Sequence, residues 1–172
     1  DVHNWSGTPF HMAQAFAANG VGVDFIGNLS RKLPPFFKAK QIWNKYIAGT
    51  RESPRFNITA AKHYSEQVAK RLANSSADVV ISPLTNPIAY LDCKQPIVLW
   101  TDAVYAALLG FYPPFAYHSA NSVKEGNEIT AACLARCQLA IFSSEWAANS
   151  AIELYGASRD KVKVVNYGAN IQ

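Results

Sequence analysis

Residues 138–156 read QLAIFSSEWAANSAIELYG, and this stretch decides the fold. Its first part, QLAIFSS, is a short apolar run that ends on two serines, which is typical of a buried strand. Its second part, EWAANSAIELYG, has apolar residues at helical spacing and a glycine where helices commonly end. The sequence therefore predicts a strand, a serine turn and a helix in immediate succession.

The same alternation extends to both sides of this stretch. Apolar runs predict further strands in ADVVIS (77–82), PIVLWTD (96–102) and DKVKVVNYGAN (160–170), while helices are predicted from about Ile58 to Ala73 and from about Ser119 to Arg136. Strands that alternate with helices of this length indicate a parallel sheet. We therefore expect an α/β protein with a Rossmann-like, doubly wound parallel sheet and helices on both faces.

Two further elements are predicted with less regular patterns. Thr8 can cap a helix that has Pro9 in its first turn and ends at Gly20, and VGVDFIG (21–27) then follows as a strand. After the Pro/Asn-rich turn SPLTNP, the segment NPIAYL (86–91) is predicted to be a short helix. No internal repeat or linker is visible, so residues 1–172 are expected to form one domain.

Composition narrows the class of protein. With 49% hydrophobic and 16% charged residues, the chain has a globular rather than a disordered or fibrous composition. Its three cysteines do not form a disulfide pattern, which favours a reducing, cytoplasmic location. Cys133 and Cys137, one helical turn apart in an apolar context, are expected to be buried thiols rather than metal ligands. The histidines lack metal-ligand spacing as well, so no metal site is expected.

The net charge of +4 is concentrated in one region. Residues 31–55 contain seven basic side chains and one acidic side chain, a local charge of +6. A helix predicted over Leu33–Gly49 can rest on an anionic membrane surface, or it can be an ordinary helix that covers a sheet, which we favour. No nucleic-acid motif accompanies the patch. The predicted apolar face comprises Phe36, Ala39, Trp43, Tyr46 and Ile47, with Lys38 and Lys45 opposite.

The candidate binding site follows from the strand order. Ligands of open parallel sheets bind beyond the carboxyl ends of the strands, where polar residues cluster in this chain. Asp102 can contact a substrate there, or it can cap a helix beginning near Ala103; His11 is near enough to the glycine turn to reach a substrate. The candidate clusters are Ser6, Gly7 and Thr8; Ser82, Thr85 and Asn86; Thr101 and Asp102; and Ser143, Ser144 and Trp146.

Three segments resemble a known family. WSGTPFHMAQAFAANGVGVDFIG (5–27), PIVLWTDAVY (96–105) and LAIFSSEWAANSAIELYGASRDKVKVVNYGAN (139–170) are similar to the N-terminal domain of family 4 GT-B glycosyltransferases. The resemblance covers nearly the whole chain. It implies a retaining enzyme that moves a sugar from a nucleotide-sugar donor to a sugar, glycan or lipid acceptor. Acceptor binding would lie mainly in this domain.

The resemblance also implies roles for individual residues. Gly7 would approach the donor diphosphate, Asp102 and Thr101 would be the catalytic pair, and Gly168 and Asn170 would belong to a hinge. Many family members carry His-Asp where this chain has Thr101-Asp102, so either Thr101 would take the place of the histidine or the contact with the sugar would have a different geometry. The donor would bind to a C-terminal domain beyond Gln172, without a metal or tightly bound cofactor. A chain trimmed at both ends in this way would be inactive alone.

Two alternatives remain open at this point. A nucleotide-sugar epimerase can share the GT-B fold but converts its substrate without an acceptor. A non-catalytic, doubly wound binding domain would bind its ligand without chemistry. The aromatic segment GFYPPFAYH (110–118) and the basic region are expected to set the specificity for the acceptor.

Overall fold

The computed structural model describes residues 7–168, which divide into two compact units. The larger unit is Leu29–Asn166, and the smaller unit combines residues 7–28 with residues 167–168. The sheet and most helices belong to the larger unit.

A four-stranded parallel sheet forms the centre of the larger unit. The strands are β1 (Val80–Ser82), β2 (Ile97–Thr101), β3 (Leu139–Phe142) and β4 (Val162–Val164), and they lie side by side in that order. All three pairings are parallel because a crossover connection or loop returns the chain to the same edge each time. The predicted Rossmann-like α/β fold class is confirmed.

Helices of the larger unit flank this sheet. No helix in residues 7–168 is long and apolar enough to cross a membrane. The helices predicted at about residues 58–73, 119–136 and 145–156 are confirmed within a residue or two. Each has a side-chain N-cap that accepts a hydrogen bond from a backbone N–H three residues later, namely Asn57, Ser119 and Ser144. The helices are α1 (Thr8–Ala18), α2 (Phe37–Tyr46), α3 (Ile58–Leu72), α4 (Tyr105–Leu108), α5 (Ala120–Arg136) and α6 (Glu145–Tyr155), with a 3₁₀ turn at Pro113–Phe115.

The core of the larger unit lies between the sheet and its crossover helices. Leu99 of β2, Phe142 of β3 and Ile129 of α5 are fully buried. Helix α5 packs against both β2 and α3. Cys133 and Cys137 are buried as predicted, with their sulfurs 3.9 Å apart. The hydrogen bond with Cys137 and the burial raise the pKa of Cys133, which holds it as a thiol.

Two predicted elements and one predicted helix cap are wrong. VGVDFIG (21–27) is not a strand: it has no strand partner in the described part of the chain, and an unpaired strand is not stable. NPIAYL (86–91) forms turns, because Ile88 and Ala89 both donate to the Thr85 carbonyl and pack inward together. The N-cap of α1 is Gly7 rather than Thr8, since Gly7 adopts φ 76° and the helix begins at Thr8.

The basic helix also differs from its prediction. α2 covers Phe37–Tyr46 rather than Leu33–Gly49, and it begins after Phe36, whose left-handed φ of 62° is incompatible with a continuing helix. Phe37 is the only buried residue of α2. The interpretation that its apolar face covers a sheet is therefore wrong, because that face is exposed to solvent.

Candidate functional site

The ends of β2 and β3 bring two predicted clusters together. Thr101 pairs with Phe142 in the sheet register, and the backbone N–H of Ser143 donates to the Thr101 carbonyl over 3.2 Å. Asp102 and Ser143 therefore begin adjacent loops at one edge of the sheet. Thr101 is buried, whereas Asp102 is exposed. The Asp102 carboxylate is thus presented to solvent at the carboxyl end of an internal strand.

Asp102 does not cap the helix that follows it. α4 begins at Tyr105, its N-cap is Val104, and no side chain caps it, so the capping alternative is wrong. Within residues 7–168, the Asp102 carboxylate has one polar contact, with the Thr101 hydroxyl at 3.5 Å. That distance is at the outer limit for a hydrogen bond, so Asp102 keeps most of its capacity to accept hydrogen bonds from a ligand.

Aromatic rings lie beside the start of α6. Ser144 caps this helix by accepting from the N–H of Ala147, which places Trp146 in its first turn. The Trp146 ring is 5.6 Å from the ring of Phe111, which is in turn 4.9 Å from the ring of Tyr112. Phe111 is 66% exposed and Trp146 is 45% exposed. Since α6 follows β3 directly, these rings lie on the sheet edge that carries Asp102.

The residues after β1 have partners within the protein. The Ser82 hydroxyl donates to the Leu84 carbonyl over 2.7 Å and accepts from its N–H. The buried Asn86 side chain donates to the Arg55 carbonyl over 2.5 Å, and Thr85 donates to Asn86 over 3.3 Å. These bonds shape the loop after β1, and ligand binding by the three polar residues stays a prediction.

The remaining predicted site residues belong to the smaller unit. Gly7 is the N-cap of α1, Thr8 is the first residue of that helix, and the ring of His11 packs edge-on against Phe10 at 5.4 Å. Gly168 belongs to the same unit. Ser6 and Asn170 lie outside the described residues. The proposed roles of this group in donor binding and in a hinge stay predictions.

The sequence did not reveal a pair of residues that supports the Asp102 loop. Tyr105 is buried, and its hydroxyl lies 2.7 Å from Nδ1 of His118. Phe56 packs on the Tyr105 ring at 4.2 Å between centroids. Burial, with a smaller contribution from Arg51, lowers the pKa of His118, so its ring is neutral and can accept a hydrogen bond from the Tyr105 hydroxyl. This cluster fixes the start of α4, three residues beyond Asp102.

The sequence pattern also did not indicate that the carboxylate of Glu52 is buried. Glu52 accepts hydrogen bonds from the Ser119 hydroxyl (2.5 Å), Asn44 (2.8 Å) and Asn121 (3.0 Å), and Lys40 lies 2.9 Å away. Burial opposes ionisation, but the hydrogen bonds and the Lys40 charge outweigh it and lower the pKa of Glu52. The partners come from α2 and from the start of α5, so only tertiary structure assembles them.

The geometry at the carboxyl edge fits a polar ligand that has both hydrogen-bonding groups and an apolar surface. Across residues 7–168, no three His, Cys, Asp or Glu side chains are grouped to hold a metal ion. No family model, curated protein or solved structure matches this chain.

Proposed function

We propose that this domain binds a carbohydrate acceptor for a retaining glycosyltransferase that uses a nucleotide-sugar donor. One observation carries the proposal: the exposed Asp102 carboxylate and the Phe111–Trp146 ring pair lie on the same carboxyl edge of the sheet. The resemblance of residues 139–170 to the closing segment of the acceptor domain in family 4 GT-B enzymes supports it.

A sugar matches these groups chemically. Its hydroxyls donate hydrogen bonds, and an ionised carboxylate such as that of Asp102 accepts two or more of them. The C–H face of a pyranose is apolar and packs on an aromatic ring, whose electron-rich face attracts the partly positive hydrogens. Trp146 and Phe111 supply such rings while keeping part of their surface open. Ligand sites commonly combine an aromatic lining with a few polar groups in this way.

The role of Asp102 in the reaction is to orient the acceptor. In a retaining transfer, the acceptor oxygen bonds to the anomeric carbon on the face from which the diphosphate departs, and the hydroxyl proton passes to that leaving group. A strong base in this domain is therefore not required. Holding the attacking hydroxyl in position accelerates such a step because the entropy of alignment is lost during binding rather than in the transition state.

The experiment is an assay of the full-length protein with a panel of nucleotide sugars, with and without mono- and oligosaccharide acceptors. We expect an acceptor-dependent product with the donor's anomeric configuration, identified by NMR. Asp102→Asn should reduce kcat/KM roughly 100-fold, as expected for a misoriented nucleophile. Asp160→Asn is the matched control, because Asp160 is also exposed but precedes β4 at the opposite edge of the sheet.

The same assay separates the alternatives. Conversion of the nucleotide sugar in the absence of any acceptor would indicate an epimerase. Saccharide binding without any conversion would indicate a binding domain. If Asp102→Asn and Asp160→Asn have equal activity, the carboxyl edge is not the acceptor site. Trp146→Ala provides a second test, since loss of the stacking ring should raise the acceptor KM more than it lowers kcat.

A further inference from the structure

Helix α2 is amphipathic, but its polar side faces the protein. The side chain of Gln41 donates to the Glu52 carbonyl over 3.1 Å, and that of Asn44 donates to the Glu52 carboxylate over 2.8 Å. Lys40 forms a salt bridge with the same carboxylate over 2.9 Å. Together with the buried Phe37, these residues recur at helical spacing on one side of α2. The buried Glu52 network therefore fixes the rotation of the helix about its axis.

The opposite side of α2 carries large apolar residues in solvent. Trp43 is 63% exposed and Tyr46 is 70% exposed, and the apolar stripe extends beyond both ends of the helix. A surface helix of a globular protein normally turns such a stripe towards the core. We call this stripe the α2 face; it comprises Phe36, Ile42, Trp43, Tyr46 and Ile47.

Positive charge borders the α2 face. Lys38 and Lys45 are exposed, and Nζ of Lys45 lies 5.1 Å from the centroid of the Tyr46 ring. Residues 31–55 carry a net charge of +6, and their one acidic residue, Glu52, is buried and paired with Lys40. An approaching surface therefore meets apolar side chains and uncompensated lysines together.

We propose that the α2 face docks on an anionic lipid membrane. Trp and Tyr favour the headgroup level of a bilayer, aliphatic side chains such as Ile42 and Ile47 enter the acyl boundary, and lysines attract anionic headgroups. A nucleic acid would match the lysines but would leave the isoleucines against phosphates. The helix would lie in the plane of the membrane surface, with the Glu52 network connecting it to the domain. This inference does not depend on the proposed sugar transfer.

The test is cosedimentation of the full-length protein with vesicles of phosphatidylcholine containing roughly one-third phosphatidylglycerol, an anionic lipid. We expect binding to these vesicles, weaker binding to pure phosphatidylcholine, and release at high salt. Replacing Ile42 and Trp43 by serine should lower the partition coefficient at least about tenfold, because the apolar area that enters the lipid is removed. Lys38→Ala and Lys45→Ala should each lower it about fivefold.

Matched controls lie on other helices. Leu154→Ser removes an exposed apolar side chain from α6, and Lys70→Ala removes an exposed lysine from α3. Neither should change vesicle binding. All substituted side chains on the α2 face are exposed, so the thermal unfolding of the variants should match that of the parent protein.

Absence of binding to the anionic vesicles would overturn the proposal, as would equal losses in the α2 and control variants. Analytical ultracentrifugation provides a further discriminating measurement. The parent protein could form a dimer that dissociates when Ile42 and Trp43 are replaced, and not bind vesicles. This result would show that a second copy covers the α2 face, and it would also overturn the proposal.

Discussion

Gly126→Ala should destabilise the larger unit, although alanine is the better helix former. Gly126 lies inside α5, directly against the ring of Tyr105. A Cβ at this position would stand 2.7 Å from Cδ1 and 2.8 Å from Cζ of that ring. Ordinary carbon–carbon contacts are about 3.5–4.0 Å, so the ring would have to move by roughly an ångström.

The Tyr105 ring has little room to move. Phe56 packs on it at 4.2 Å, and its hydroxyl bonds to His118 at 2.7 Å. Overpacking of this kind costs about 1–3 kcal/mol, and disturbing the hydrogen bond adds about 1 kcal/mol. The higher helix propensity of alanine offsets about 1 kcal/mol of this destabilisation. The free energy of unfolding should therefore fall by about 1–3 kcal/mol, and Tm by about 2–10 °C.

The measurement is urea and thermal unfolding of Gly126→Ala. The control is Lys124→Ala on the same helix, whose free energy of unfolding should be within about 0.5 kcal/mol of the parent value. A double-mutant cycle with Tyr105→Val identifies the cause: once the ring is removed, the cost of alanine should disappear. An unchanged or higher stability of Gly126→Ala would refute the close packing of Tyr105 on α5. If alanine at position 126 destabilises the Tyr105→Val protein as much as it destabilises the parent, the Tyr105 ring is not the cause.

Two further predictions follow from the titratable groups. Because the folded state lowers the pKa of Glu52, this residue contributes stability above pH 4.5 that is lost as the pH falls through its folded pKa. Glu52→Gln should lower the free energy of unfolding by about 1–3 kcal/mol at pH 7, and denaturant titrations should show that its stability falls less steeply at acid pH. An unchanged fall in stability at acid pH would count against the network. Because the folded state lowers the pKa of His118, the unfolded chain binds that proton more tightly, so stability should fall as the pH drops below 6.5. His118→Gln should remove this slope between about pH 7 and pH 5.5, as measured by urea unfolding at each pH.

The part of the candidate site that lies at the carboxyl ends of the strands could be predicted from the sequence. Asp102 and Ser143 follow apolar runs, and parallel strands bring their carboxyl ends to one edge, so their proximity could be inferred before the fold was known. The Tyr105–His118 pair was not predictable, because its two residues belong to different elements and follow no local pattern. Ser82 and Asn86 were singled out because they are polar and follow β1, and only the structure shows that both also bond to the backbone of nearby loops. Ligand binding by these two residues stays a prediction.

The sequence by itself determined the α/β class, the succession of β1 to β4 and the helices with strong caps. Caps, apolar periodicity and helix-ending glycines act within a few residues, so α3, α5 and α6 could be located without tertiary contacts.

Tertiary structure alone decided which pattern formed a strand and which side of a helix faced the core. VGVDFIG (21–27) has the composition of a strand but no partner strand in residues 7–168, and strand formation depends on such partners. On α2, the Glu52 network binds the polar side and leaves Trp43 and Tyr46 in solvent. The buried Glu52 carboxylate needs several hydrogen-bond donors, because a buried charge left unpaired is costly, and the donors on the polar side of α2 supply them.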